Sequence, residues 1–465
     1  MKEPTGRVRT LRDYLITTAS GSRFIAGVGD RVDLCDVLSK TSLQGLICQL
    51  YSRSILLATH DQLTAALAMI ELDGFADRLV LWPPGISAEH LPGVVAKAGV
   101  DAIVTDDDSI DLSHLGVSLH VRVGSKLTRA KNVSFRHRQT EWVLLTSGTT
   151  GAPKMLGHNL ASLTSAIKNT GAQQDPGSVW GTFYDIRRYG GLQILLRALL
   201  GRGSLVLSSA DESPTEYLLR LAAHSVTHLT GTPSHWRRAL MSPASRGIAP
   251  RYVRLSGEIA DQAILNTLRS SYPNAAIGHA YASTEAGVGF EVNDGLEGFP
   301  ASLIGASEDI EIKVEGGSLH IRSARAAARY VGEDAPLSDA EGFVDTGDMV
   351  DLRGDRYYFL GRRSGMINVG GQKVYPEEVE ALLNRHPAVH MSCVRPRRSS
   401  ITGSLVVADV VLNPNLDADR QSGELKDEIL RFCRKALPRH MIPTALNFVP
   451  ALTVAATGKV ARHNA

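Results

Sequence analysis

From residue 54 onward the chain alternates short apolar runs with stretches whose apolar positions recur at helical intervals. Residues 55–58, 79–81 and 102–104 read as strands, and 62–72 and 90–98 as the helices between them. Such alternation predicts βαβ units and a largely parallel sheet. Residues 142–145 form another short apolar run, read as a buried strand, and 158–168 read as a helix after it. Residues 179–207 contain a helix that closes on Gly201 or Gly203 ahead of a Leu-Val-Leu strand. Residues 343–360 read as β-rich, with hairpin punctuation at Arg353, Gly354 and Asp355. Pro376, followed by Glu377 and Glu378, opens a helix, and 424–437 is an amphipathic helix stopped by Pro438. Residues 1–50 show only short amphipathic pieces and read as peripheral.

The 465 residues exceed what one small core needs and predict more than one domain. With 50 basic and 48 acidic side chains the net charge is +2, which gives no electrostatic reason to expect a nucleic acid or a membrane surface as partner. No stretch has the ~20 continuous apolar residues of a spanning helix, and the first residues lack the apolar block of an export signal. Four scattered cysteines form neither a disulfide framework nor a zinc pattern. A cytoplasmic location is expected.

Residues 144–156, LLTSGTTGAPKML, carry the strongest chemical signal. Thr146, Ser147, Thr149 and Thr150 crowd around Gly148 and Gly151, and Lys154 follows Pro153. Hydroxyls, open backbone N–H groups and one cation suit a phosphate that must be wrapped, with the loop set between a strand and a helix. No GxxxxGK[ST] is present, so this is not a Walker loop, and no GxGxxG follows the first strand.

TSGTTGAPK resembles the phosphate loop of the adenylate-forming superfamily, which includes acyl-CoA synthetases, the adenylation domains of peptide synthetases and firefly luciferase. Further segments follow in that family's order. YASTE at 281–285 resembles its Y-G-x-T-E, with Ala282 where glycine is usual. Tyr281 offers a π-face to a purine, Thr284 can hydrogen-bond a phosphate oxygen, Glu285 gives Mg²⁺ a hard oxygen, and Ala282 and Ser283 between them fall at the nucleotide. Gly257 and Glu258 resemble the loop beside the adenine. Asp348 and Arg362 match the family's two ribose contacts, and Ser364 stands at the hinge, where Asp or Lys is usual. Gly370, Gly371 and Lys373 match the segment that admits the pantetheine of CoA. Lys459, in TGKVAR, matches the catalytic lysine, acting with Thr149 and Glu285. Arg188, Tyr189 and His235 fall near the acyl pocket, where an arginine is either solvated or paired with a polar acyl group. Trp236 reads as core.

The resemblance implies an α/β fold. A large N-terminal domain (1–361) would hold doubly wound sheets and a β-rich subdomain, and a small mobile α+β lid (362–465) would follow. It implies an ATP- and Mg²⁺-dependent ligase that converts a carboxylic acid to an acyl-adenylate, releases pyrophosphate and passes the acyl group to CoA. Its partners would be small molecules, with the chain a monomer or homodimer. The alternative is a stand-alone adenylation enzyme that loads a carrier protein's phosphopantetheine. A non-catalytic acyl or nucleotide sensor is disfavoured because Thr149, Glu285, Asp348 and Lys459 are all present.

Overall fold

The computed structural model describes residues 9–18, 22–43, 46–107, 112–130, 137–146, 151–167, 177–307, 309–399, 402–414, 416 and 422–462. Two mixed sheets build the large domain. One runs Gly287–Val292, Ala276–Ser283, Tyr252–Ser256, His228–Gly231, Val179–Thr182, Ser204–Leu207, Phe24–Ala26, Arg31–Asp33. The other runs Arg329–Tyr330, Lys154–His158, Glu141–Thr146, Arg78–Leu81, Ser54–Leu57, Ala102–Thr105, Leu119–Arg122. The central pairs are parallel; both margins of the first sheet are antiparallel, and in the second only the margin that carries Lys154–His158 is, its other edge, Leu119–Arg122, being parallel.

Two helices share the core between these sheets. Gln62–Leu72 is buried on every side, so its apolar residues show almost no amphipathic bias. Asp61 caps it, accepting from Thr64 N at 2.8 Å. Tyr189–Leu200 is buried nearly throughout and packs into the same cluster. An antiparallel six-stranded sheet, from Phe299–Pro300 to Gly305–Ala306, forms the β-rich part, and its Val344–Arg353 and Arg356–Arg362 hairpin turns at Gly354 as expected. Beyond it, Ile367–Val369, Gln372–Val374, Val389–Ser399, Gly403–Leu412 and Ala445–Phe448 form a separate sheet. The helices Pro376–Leu383 and Ser422–Ala436 cover it, and Leu425, Ile429 and Cys433 face its core.

Two expectations fail here. The 144–156 stretch does not join a strand to a helix. Glu141–Thr146 and Lys154–His158 are antiparallel neighbours with Thr146 opposite Lys154, so the loop closes a β-hairpin. The helix comes one strand later, as Leu160–Thr164, and is shorter than 158–168. Over five residues, apolar content alone does not separate a buried strand from a helical turn.

Residues 1–50 are not peripheral either. Leu11, Leu15, Ile25, Val37, Leu43 and Leu50 are fully buried in the largest cluster, and Phe24–Ala26 pairs in parallel with Ser204–Leu207. Leu11 N donates to Asp73 at 2.8 Å, and Trp142 Nε1 donates to the other carboxylate oxygen at 3.1 Å. These elements are too short to display a period. Leu15→Ala is expected to destabilise the protein by about 3 kcal/mol, through lost burial plus the cavity left behind. Equilibrium urea unfolding reads this directly, and a change under about 0.5 kcal/mol would restore the peripheral reading.

Candidate active site

The nucleotide-binding candidates converge where the three parts of the molecule meet. Thr146 and Lys154 flank the mouth of the phosphate hairpin, while Ser147, Gly148, Thr149 and Thr150 lie outside the described residues. Gly151 is exposed. Lys154 Nζ sits 5.1 Å from the centre of the Tyr330 ring, and Arg329–Tyr330 pairs with the strand that carries Lys154. Tyr330, given no role from sequence, thus supports the loop's cation.

Asp348 and Arg362 are opposite residues on the antiparallel hairpin, and Arg362 Nε lies 3.0 Å from Asp348 Oδ1. Tyr281 Oη donates to Asp348 Oδ2 at 2.6 Å. Its ring lies nearly parallel to Phe359 and Phe290, with centroids 5.4 and 5.6 Å away. The half-buried Tyr281 ring thus lies beside two aromatics while its hydroxyl braces the aspartate. Ala282 follows at a bulge between the paired strands. Ser283 Oγ accepts from Ala286 N at 3.0 Å, fixing the turn that presents Thr284 and Glu285. Glu285 is half-buried and, among the described residues, has no ion-pair partner within 4.0 Å.

Lys459 arrives from the small domain on a tight hairpin. Val454 and Val460 bridge, and Ala455 N donates to Lys459 O at 2.8 Å. The hairpin docks on the large domain through two backbone groups. Thr232 Oγ1 donates to Gly458 O at 2.5 Å, and Val460 N donates to Glu258 Oε1 at 3.1 Å. Glu258 Oε2 accepts from Ser234 N at 2.9 Å, so both its oxygens are committed. Gly458 has φ +77°, and a Cβ there would strike the His235 ring at 2.0 Å. The lysine's Cε lies 3.9 Å from where a Cβ on Gly257 would stand. The cleft leaves Lys459 reachable from solvent, yet the surrounding protein lowers its pKa, ahead of repulsion from Arg362.

The other candidates divide. Arg187 is buried and held by both oxygens of Asp185, not solvated. Arg188 Nη2 donates to Pro84 O at 2.6 Å, next to Gly85, which touches Ala456 of the lysine hairpin. Tyr189 is buried under the helix it opens, its ring 5.6 Å from His158. His235 stacks on Phe183, and burial pushes its pKa down to about 3. Trp236 is core. Ser364 is exposed in the short turn Arg363–Gly365, and Arg363 pairs with Asp345 at 2.9 Å. Gly370 and Gly371, at φ +58° and +86°, form the exposed turn of another hairpin beside exposed Lys373.

A family model described as AMP-binding enzyme matches residues 60–319, and one for the AMP-binding enzyme C-terminal domain matches 378–459. The chain belongs to the AMP-binding enzymes. Among curated relatives, a 2-succinylbenzoate–CoA ligase of Bacillus velezensis is 25% identical over 417 residues, covering 85% of this chain and 79% of that protein. One from Bacillus cereus is 27% identical over 421 residues, covering 83% and 82%. Among solved structures, the anthranilate CoA ligase AuaEII in complex with anthranoyl-AMP superposes with a TM-score of 0.80 at 18% identity, covering 97% of this chain and 95% of that one. The o-succinylbenzoate CoA synthetase MenE of Bacillus subtilis, in complex with its acyl-adenylate, gives 0.72 at 19% identity, covering 96% of each.

Sequence reasoning missed one residue of this AMP-binding enzyme's site. His158 is buried, and its Nε2 meets the Thr284 carbonyl at 2.8 Å, anchoring the turn that carries Glu285. Its period with neighbouring apolar residues had placed it in a helix. Burial lowers its pKa to about 4, below the ordinary 6.5. The unfolded chain therefore binds the extra proton between those values, so this contribution is present above pH 6.5 and lost as pH falls toward 4. The window is worth about 3 kcal/mol. Urea unfolding of the wild type and His158→Gln at pH 7.5 and 4.5 is expected to show the wild type losing more stability by that order. Parallel losses would remove the assignment.

Proposed function

We propose that this AMP-binding enzyme is an ATP-dependent acid–thiol ligase that makes an acyl-adenylate and passes the acyl group to CoA. The observation that carries the reading is the meeting of Lys459 with Gly257, Glu258, Asp348 and Arg362 in one cleft. A carboxylate is a poor acyl donor because its leaving group would be oxide. Its oxygen instead bonds to the α-phosphorus of ATP while the bond to the bridging oxygen breaks, and pyrophosphate departs. Charge on the α-phosphate then has to be stabilised in place. Lys459 supports that role as a cation held between the acid's carboxylate and the α-phosphate. Thr146, Ser147, Gly148, Thr149, Thr150, Gly151 and Lys154 would wrap the outer phosphates, and Ser283 and Thr284 would add hydrogen bonds.

The Asp348–Arg362 pair fits the ribose diol, since a carboxylate accepts from two hydroxyls. Among the described residues no three His, Cys, Asp or Glu side chains are arranged to hold a metal alone. A single uncommitted carboxylate, Glu285, fits Mg²⁺ that arrives with the nucleotide and keeps most of its waters. The ion, when bound, supplies positive charge at the phosphate oxygens.

In the second step the thiol sulfur attacks the acyl carbon, its proton is lost, and AMP leaves. We assign residues 362–465 as the lid that pivots near Ser364, withdrawing Lys459 and bringing in Gly370, Gly371 and Lys373 to accept pantetheine. That the curated relatives are CoA ligases supports CoA as acceptor. No helix among the described residues is long and apolar enough to cross a membrane, and we place the enzyme in the cytoplasm.

Lys459→Ala is expected to lower acid-dependent ATP–pyrophosphate exchange by ~10²-fold or more while sparing acyl transfer from a supplied acyl-adenylate to CoA. Exchange at the wild-type rate, or equal loss in both steps, would overturn this role for the lysine.

A further inference from the structure

The segment TGKVAR carries a second cation, Arg462, three residues beyond Lys459 and without a part in either step of the reaction. At most about 10 Å of chain separates the two. Arg462 Nη1 donates to Glu377 Oε1 and Nη2 to Glu380 Oε2, both at 2.7 Å. These carboxylates stand three residues apart on the helix Pro376–Leu383 and so share a face. Their side chains are only 17% and 14% exposed. Two charge-assisted bonds from one planar guanidinium, to carboxylates largely out of water, fix both its place and its orientation. Glu380 is fixed in turn, because its Oε1 accepts from Val394 N at 2.7 Å on the strand Val389–Ser399.

The same turn of helix also reaches the ribose side of the cleft. Glu377 Oε2 is buried, has no hydrogen-bond partner, and lies 2.2 Å from where a Cβ on Gly361 would stand. Gly361, at φ +143°, is the residue before Arg362. Glu378 pairs with Arg353 of the same hairpin at 3.0 Å. Few other ties hold the lysine hairpin to the small domain. Upstream, Ala445–Phe448 pairs with Gly403–Leu412, and Val449 N donates to Val410 O at 3.0 Å. Among the described residues, 450–453 make no hydrogen bond to that sheet. The returning arm is held by Ala461 N on Thr453 O at 2.9 Å, and then by Arg462. The hairpin is thus mounted on the small domain at Val449 and at Arg462, and Lys459 is far nearer the second.

We propose that Arg462 is a positioning residue for the adenylating step: its fork on Glu377 and Glu380 sets the reach of Lys459 into the cleft. The lysine and the ribose-side hairpin then take their relative position from one helix. With both terminal nitrogens engaged by carboxylates, Arg462 acts through the backbone that it holds. A long, flexible lysine gains from such a mount because a cation displaced by about 1 Å from the reacting oxygens loses much of its effect on rate. This inference rests on the ligase reading.

Arg462→Gln alone would leave two carboxylates side by side without their cation, at a cost to folding. It is therefore compared with Arg462→Lys, which keeps the charge and loses the fork, and with Arg462→Gln/Glu380→Gln, which removes the repulsion. In the full chain without substrate, amide hydrogen exchange over residues 453–461 is expected to rise about 10-fold or more in the double variant, with 376–383 unchanged. The kcat of ATP–pyrophosphate exchange, measured with whichever of benzoate, hexanoate, adipate and suberate the wild type exchanges fastest, is expected to fall ~10-fold or more, with KM for ATP held within about twofold. Arg462→Lys is expected to recover part of that loss. Acyl transfer to CoA from a supplied acyl-adenylate is expected to keep its wild-type rate, which a general loss of structure would not allow. Wild-type exchange kcat in the folded double variant overturns the proposal, as does equal loss in both half-reactions or unchanged hydrogen exchange over 453–461. ATP binding by the wild type with no pyrophosphate exchange for any of these acids counts against the ligase reading instead.

Discussion

The seat of the lysine hairpin on the large domain is the contact on which the active arrangement depends. It is slender: one hydroxyl on the Gly458 carbonyl, one carboxylate on the Val460 N–H, and His235 against a glycine with no room for a Cβ. Hydrogen bonds of this kind contribute about 1 kcal/mol each. Under the proposed pivot, a lid released in each catalytic cycle would be poorly served by a deep apolar interface, and these directional bonds suit that reading. The backbone groups are what matter, since side-chain identity at 458 and 460 enters mainly by being small enough to let the main chain approach.

The other end of that hairpin is fastened differently. Arg462 lies 2.7 Å from both Glu377 and Glu380 on the helix Pro376–Leu383, so the returning arm is tied to the small domain itself. Burial pushes Glu380 up to about 7, against the pull of Arg462. Glu377 also presses on Gly361, at the end of the strand that carries Arg362, where a Cβ would meet its carboxylate at 2.2 Å. Lysine, helix and ribose-side hairpin are in this way mechanically linked. Elsewhere Asn384 donates to Asp261, which is already paired with Arg237, and His390 meets the Arg237 carbonyl. These contacts are polar, which suits the proposed pivot of residues 362–465.

How much of this was readable beforehand depended on element length. Gln62–Leu72 matches the helix read at 62–72 because eleven consecutive residues are mostly good helix formers, although burial on every side removes any one-sided period. The hairpin turn at Gly354 and the proline start at Pro376 were found because their backbone chemistry is local. The Lys154–His158 strand was misread, and the first fifty residues were undervalued, because two- to five-residue elements take their conformation from neighbours far away in sequence. The site followed the same rule. Lys459, Asp348 and Arg362, which short motifs single out, lie close together in the structure. The grip of His158 on Thr284 joins residues 126 positions apart, and no local pattern announces it.

The carboxylates of the cleft show why its parts cannot be exchanged for one another. Glu258 spends both oxygens on backbone N–H groups, and Asp348 spends one on Tyr281 and the other on Arg362. A carboxylate so engaged is a poor metal ligand, because coordination would have to displace bonds already made. Glu285 alone of the three is bound through nothing but its main chain, where Ala327 N donates to its carbonyl. Three acids of like chemistry in one cleft are thus sorted by what the fold has already attached to them. On the proposed function, one latches the Lys459 hairpin, one would face the sugar, and one would remain to meet a cation. The same logic, with the sign reversed, applies to the arginines: Arg187 is consumed by Asp185 and Arg362 by Asp348.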